Sequence, residues 1–261
     1  NHVRFYAAQA INPFTRLPKE SKPMQNHTLM LRDPLKMIGN NAGKNIEKGG
    51  FAAILARAGV GKTALLVQLA LHAMVNGKNV LHISTEDPVD KVNLWYQEVF
   101  NRLTQSGSAP QGEKLWDQLL YKRFIMTFET ETFNLDKLQK RISELMANGI
   151  FQPNLIMIDG FAFDENSRPQ LNGLKDLAAD SEMVFWFTVR THRDEPVDTS
   201  GLAASFAPFA GLFDMMLQLY PDKNRVYLKH LPHADDPEAG QGNHLYLDPA
   251  TLLVSDNAAD A

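Results

Sequence analysis

Phe51-Ala-Ala-Ile-Leu-Ala-Arg-Ala-Gly-Val-Gly-Lys62-Thr63 decides how the chain is read. The apolar run from Phe51 to Leu55 predicts a buried strand. It breaks into a small-residue loop, Ala56 to Gly61. Lys62-Thr63 then opens an apolar helix, Ala64-Leu-Leu-Val-Gln-Leu-Ala-Leu71. A strand, a tight loop and a helix N-terminus together form an anion site, because loop N–H groups converge and the helix start adds partial positive charge. A lysine at this point supplies a point charge for β- and γ-phosphates, and a threonine hydroxyl reaches a magnesium ion.

The match to G-x-x-x-x-G-K-[ST] is incomplete. Ala56 stands at the first glycine position, so the chain must leave the strand there with an ordinary backbone angle. Gly59 and Gly61 are kept. The expected cradle is therefore Ala56, Arg57, Ala58, Gly59, Val60, Gly61, Lys62 and Thr63.

Working outward, 261 residues bury a full core, and 44% hydrophobic content marks a globular chain. A net charge of -4 is not the footprint of a strong nucleic-acid or anionic-membrane binder. Cysteine is absent, which excludes disulfides and thiolate metal sites and fits a reducing, cytoplasmic setting. No apolar run reaches membrane-spanning length, and the N-terminal stretch has no signal-peptide pattern. The first residue is Asn1, so the chain reads as a piece of something longer.

Residues 1–45 are polar and punctuated by prolines, and read as an N-terminal arm with a short helical piece near Leu29 to Ile38. Residues 46–255 read as one domain, and 256–261 as a flexible tail. Within the domain, strands are expected at Asn79–Ser84, Arg123–Phe128, Leu155–Asp159 and Met183–Thr188. Helices are expected to about Val75, from Pro88 to Leu103, over Glu113–Leu120 and Asn134–Met146, and near Pro169–Ala179. Phe213–Leu219, Arg225–Lys229, His244–Leu247 and Leu252–Ser255 look like closing strands. Apolar strands alternating with helices imply an α/β fold, a three-layer α/β/α sandwich around a mainly parallel twisted sheet. The closing strands lack helices between them and predict an antiparallel C-terminal extension.

In open parallel sheets the ligand lies beyond the carboxyl ends of the strands. Glu86-Asp87 and Asp159 fall there with the loop. Asp159, at the tip of an apolar strand, is the expected magnesium residue beside Thr63. Glu86 is placed to polarise a water for attack on the γ-phosphate, with Lys62 as the other catalytic side chain. Asp87, just before Pro88, reads as a helix N-cap. No His cluster has metal-ligand spacing.

The loop, Ser84-Thr-Glu86-Asp-Pro88 and Leu155-to-Gly160 together resemble the RecA-like P-loop ATPase superfamily, nearest to its KaiC, DnaB-type and plasmid RepA-type helicase branches. The resemblance covers roughly residues 45 to 255. It implies ATP and Mg2+ as cofactors, Glu86 as hydrolytic base, and a homo-oligomer, ring or filament. It also implies that Lys229, on a late strand, reaches the neighbouring subunit's γ-phosphate. Leu231 stands where a second basic residue belongs, and His230 and His233 flank it. By the same resemblance Met183–Thr188 is the sensor strand; Thr188 and Arg190 are candidates for the sensing role, and a solvated loop is the equal alternative. The loops Phe161–Arg168 and Arg190–Gly201 would line a pore. Their mixed charges leave DNA open as a partner without indicating it, and Phe161 and Phe163 read as stacking or packing residues.

Two functions follow. One is a Mg-dependent ATPase, a DNA-linked motor or helicase-type protein. The other is a nucleotide-gated regulatory or assembly protein with little turnover. A small-molecule P-loop kinase is a weaker third, because no arginine-bearing lid is found.

Overall fold

The computed structural model describes residues 4–6, 34–39, 46, 48–104, 109–128, 133–198, 201–231 and 245–256. Among the described residues ten strands form one sheet: β1 (Arg4–Tyr6), β2 (Phe51–Ala56), β3 (Val80–Ser84), β4 (Arg123–Thr127), β5 (Leu155–Asp159), β6 (Val184–Arg190), β7 (Met215–Asp222), β8 (Arg225–His230), β9 (Leu245–Leu247) and β10 (Val254–Ser255). Their spatial order is β1-β4-β3-β5-β6-β2-β7-β8-β9-β10. The run from β4 to β7 is parallel throughout. The strands β8, β9 and β10 extend it antiparallel on one side, and β1 pairs antiparallel with β4 on the other. The α/β fold with a mainly parallel sheet and an antiparallel C-terminal extension is what the alternation of apolar runs requires.

Among the described residues six α-helices flank the sheet: α1 (Pro34–Gly39), α2 (Lys62–Val75), α3 (Val89–Thr104), α4 (Ala109–Leu120), α5 (Leu135–Ala147) and α6 (Ser167–Asp180). They create two apolar layers. Ala52, Ile54 and Trp186 pack with α2 and α3 on one face, while Phe51, Ala53, Phe185 and Phe187 pack with α5 and α6 on the other. All six residues of β2 are buried, as expected of a strand covered on both sides. α2 is apolar nearly all round, and its residues from Ala64 to Leu71 are buried without interruption. Among the described residues no helix is long and apolar enough to cross a membrane.

Element limits differ from expectation where register decides them. β6 runs two residues past Thr188, because it stays in register with β2 up to Ala56 opposite Arg190. β7 begins at Met215 rather than Phe213, because a 3-10 turn over Ala207–Leu212 occupies the preceding residues. α4 begins before Glu113, at Ala109. Two elements fall inside the expected arm. β1 pairs with β4, and Ile38 of α1 is buried in the α2 layer. Residues 29–33, His233, His244 and the tail after Asp256 lie outside the described residues.

Phe161 and Phe163 are packing residues. Their rings meet edge to face at 4.6 Å, and Phe163 also contacts Phe206, Phe209 and Phe213. This aromatic cluster belongs to the α5–α6 layer, with Phe161 buried and Phe163 partly buried.

Candidate functional site

Parallel strands deliver their carboxyl ends to one rim, and the phosphate loop leaves β2 there. Ala56 is the last residue of β2 and is buried. It is not among the residues with positive φ, so a Cβ is accommodated without strain at the first motif position. The turn is made further on, by Gly59 at φ +75 and Gly61 at φ +108. Gly61 precedes α2 in a left-handed conformation, and a Cβ there would lie 2.9 Å from Leu247 Cδ1. No side chain caps the first turn of α2, and that turn carries no acidic residue. Its N–H groups and dipole therefore face the loop. Arg57, Ala58 and Gly59 are exposed. Arg57 also lines a cleft of about 240 Å3 with Thr191, His192, Arg193, Gln218 and Tyr220.

Lys62 Nζ folds across the loop, donating to the carbonyl oxygens of Ala56 at 3.1 Å and Arg57 at 3.0 Å. Partial burial lowers its pKa from the ordinary lysine value. Asp159 and Glu86 oppose that shift, and Arg190 adds to it. Those three side chains thus lie near the ammonium at the rim.

Asp159 is held on both carboxylate oxygens. Thr63 Oγ1 donates to Oδ2 at 2.8 Å, and Thr188 Oγ1 donates to Oδ1 at 2.6 Å. The Thr188 hydroxyl in turn accepts from Gly160 N at 3.0 Å. Thr188 is thus a buried anchor for the acid and its turn. Its role needs the β5–β6 neighbourhood, which spacing in sequence does not reveal. Thr63 and Asp159 present hydroxyl and carboxylate oxygens, the hard donors that Mg2+ takes in small number when phosphates supply the rest. Among the described residues no three His, Cys, Asp or Glu side chains converge as a metal cage.

Glu86 arrives from the next strand. Ser84 pairs with Asp159 in the β3–β5 ladder, and Glu86 follows two residues later. The turn after β5 is shaped to receive it. Thr85 N donates to Asp159 O at 3.0 Å, and Thr85 Oγ1 donates to Gly160 O at 2.7 Å. Gly160 sits at φ +90, and a Cβ there would fall 2.6 Å from Thr85 Oγ1 and 2.8 Å from Glu86 Cγ. Glu86 itself is exposed. Asp87 is occupied differently from a cap: its carboxylate accepts from Lys91 Nζ at 2.8 Å, and its N–H donates to Ser84 Oγ.

The rim therefore brings together the loop Ala56–Gly61, Lys62, Thr63, Glu86 and Asp159, with Thr188, Gly160 and Arg190 beside them. A family description of the AAA domain matches residues 37–173, just over half of the chain. The chain belongs to the AAA domain family. No individual curated protein matches it. The matched segment of this AAA-domain protein contains the loop, Glu86 and Asp159, and its function is that of a nucleotide-binding ATPase-type domain.

The remaining expected positions lie outside that segment. Lys229 is exposed on β8, opposite Gln218 of β7. Leu231 is fully buried in the α5–α6 layer, its N–H donating to Met216 O at 2.8 Å. A cation at that position would be buried rather than extended toward a neighbour.

Proposed function

We propose that this AAA-domain protein binds ATP with Mg2+ and hydrolyses it. The observation that carries the reading is the contact of 2.8 Å between Thr63 Oγ1 and Asp159 Oδ2, two oxygens suited to one magnesium ion at the mouth of a phosphate loop. The loop N–H groups and Lys62 hold the polyphosphate. Thr63 and Asp159 hold the ion, which when bound offsets charge on the β- and γ-phosphates. Glu86 takes a proton from a water molecule as the water oxygen bonds to the γ-phosphorus. The bond from that phosphorus to the β,γ-bridging oxygen breaks, and its electron pair stays on ADP. Inorganic phosphate leaves, and Glu86 returns the proton to solvent.

The resemblance to RecA-like proteins supports assembly of several copies, with Lys229 of one copy reaching the nucleotide of the next. The packing of Phe161 and Phe163 weighs against a strand-tracking role for their loop. One observation favours the second reading, a nucleotide-gated assembly protein with slow turnover. The position of the second trans basic residue holds a buried leucine, Leu231.

Phosphate release by the purified protein, with and without single-stranded DNA, tests both readings. Lys62→Ala is expected to abolish nucleotide binding, and Glu86→Gln to keep binding and lose turnover. Normal hydrolysis by Glu86→Gln would remove Glu86 as the base. DNA stimulation would identify a motor. Nucleotide-dependent assembly, measured as mass in solution with a non-hydrolysable analogue, without appreciable phosphate release would identify the gated protein.

A further inference from the structure

We propose that Thr85 is a positioning residue for hydrolysis. Its hydroxyl ties the segment that carries Glu86 to the turn after Asp159, and so fixes the base relative to the magnesium residue. The proposal rests on the hydrolytic reading above and adds a residue which that reading does not use.

Glu86 stands beyond the strand that delivers it. Ser84 pairs with Asp159 in the β3–β5 ladder, and the Thr85 N–H donates across to Asp159 O at 3.0 Å. Glu86 follows, past the end of β3 and exposed. An exposed side chain past a strand end has many rotamers, and a catalytic group needs one direction. Side-chain bonds on both sides of Glu86 supply it. Thr85 is buried, and its hydroxyl donates to Gly160 O at 2.7 Å, with Asp159 O at 3.4 Å. On the far side, the Asp87 N–H donates to Ser84 Oγ at 2.9 Å.

Gly160 completes the seat. Its N–H is taken by Thr188 Oγ1 at 3.0 Å and its carbonyl by Thr85, so threonines of two different strands hold one peptide turn. At φ +90 and without a Cβ, it leaves a space that Thr85 Oγ1 and Glu86 Cγ fill, 2.6 and 2.8 Å from where a Cβ would stand. The Glu86 stem therefore rests on the turn that Asp159 opens.

The Asp159 carboxylate is held by other groups, the hydroxyls of Thr63 and Thr188. Removing the Thr85 hydroxyl leaves both of those bonds in place, so ion and nucleotide binding should survive while the aim of Glu86 is lost. A general base must stand within hydrogen-bond reach of the water it deprotonates. A displacement of about 1 Å costs a factor on the order of 10² in rate. Thr85 itself forms and breaks no covalent bond.

The test uses the full chain, with a fluorescent ATP analogue and Mg2+ for binding and single-turnover phosphate release for chemistry. Thr85→Val keeps the shape of the side chain and removes the hydroxyl. It is expected to bind nucleotide within about threefold of wild type while its rate falls about 10- to 100-fold. Thr85→Ser keeps the hydroxyl and is expected to recover most of that rate. In the Glu86→Gln background, Thr85→Val is expected to slow the residual turnover no further, because a base already removed cannot be misdirected. These three results support the proposal. Thr85→Val at the wild-type rate, Thr85→Ser as slow as Thr85→Val, or the same further loss in the Glu86→Gln background overturns it while leaving the hydrolytic reading standing. Loss of nucleotide binding in Thr85→Val also overturns it, since the hydroxyl would then serve the fold rather than the base. A wild-type protein that binds ATP without turnover overturns both.

Discussion

Thr63 Oγ1 lies 2.8 Å from Asp159 Oδ2, across 96 residues of sequence. One residue opens α2 and the other closes β5, so a helix start and a strand tip meet at one point. Asp159→Asn keeps the shape of this pair and removes its charge. Magnesium is then expected to lose its effect on ATP affinity. The loss should be about 10- to 100-fold, in the range seen when groups holding a metal ligand are removed. Calorimetric titration with ATP, with and without Mg2+, measures it. Equal magnesium enhancement in Asp159→Asn and wild type would remove Asp159 from the ion.

Gly160→Ala is expected to injure turnover and stability together. The added Cβ meets Thr85 Oγ1 and Glu86 Cγ, and the φ of +90 is unfavourable for any side chain. The cost should be about 1–3 kcal/mol, or roughly 2–12 °C in melting temperature for a domain of this size. Thermal unfolding and phosphate release are the measurements. An unshifted melting temperature with full activity would show that the turn relaxes freely.

Leu231→Lys tests whether the second trans position can be rebuilt. Leu231 is fully buried, so the ammonium has no water and no partner. Destabilisation of at least about 3 kcal/mol is expected, read as a lower urea midpoint. Unchanged stability with faster turnover would mean that this strand end opens toward a neighbour.

His82 makes stability depend on acid. It is buried on β3, its Nδ1 3.1 Å from the Tyr96 hydroxyl, and burial pushes its pKa down to about 4. Asp159 and Asp87 oppose the shift, and Arg123 adds to it. Unfolded, this histidine takes up a proton near its ordinary value, whereas folded it resists. The unfolded state therefore binds more protons between about pH 6.5 and 4, and stability falls as pH falls through that window. His82→Gln should flatten the dependence of the urea midpoint on pH over that range. An unaltered slope would assign acid sensitivity to other groups.

Lys62 gives the opposite window for nucleotide. Burial lowers its pKa below the ordinary lysine value of 10.5. As pH rises through the lowered value the ammonium is lost, and ATP affinity should fall earlier than an exposed lysine would allow. The same loss relieves a desolvated charge, so this group's contribution to folding improves with pH there. Affinity measured from pH 8 upward, with Lys62→Arg as the control whose charge does not titrate there, checks the sign.

Much of this was legible in local pattern. The run Phe51 to Thr63 points to a phosphate loop because strand, glycine and helix start are consecutive. Glu86 and Asp159 announce themselves as acids at the ends of apolar runs. Continuous burial of such runs requires helices on both faces, and hence a mainly parallel sheet. Three features came from packing. Thr188 reads only as a sensing candidate until β6 lies beside β5 and its oxygen meets Asp159. Arg190 reads as a sensing candidate at the start of a loop until register with β2 shows it to be part of the strand. Leu231 reads as a gap in a motif until the α5–α6 layer closes over it. Sequence by itself determined which chemical groups reach the rim, because periodicity and strand ends are local properties of the chain. Tertiary structure decided which of those groups touch, because strand order and register join residues that the backbone keeps far apart.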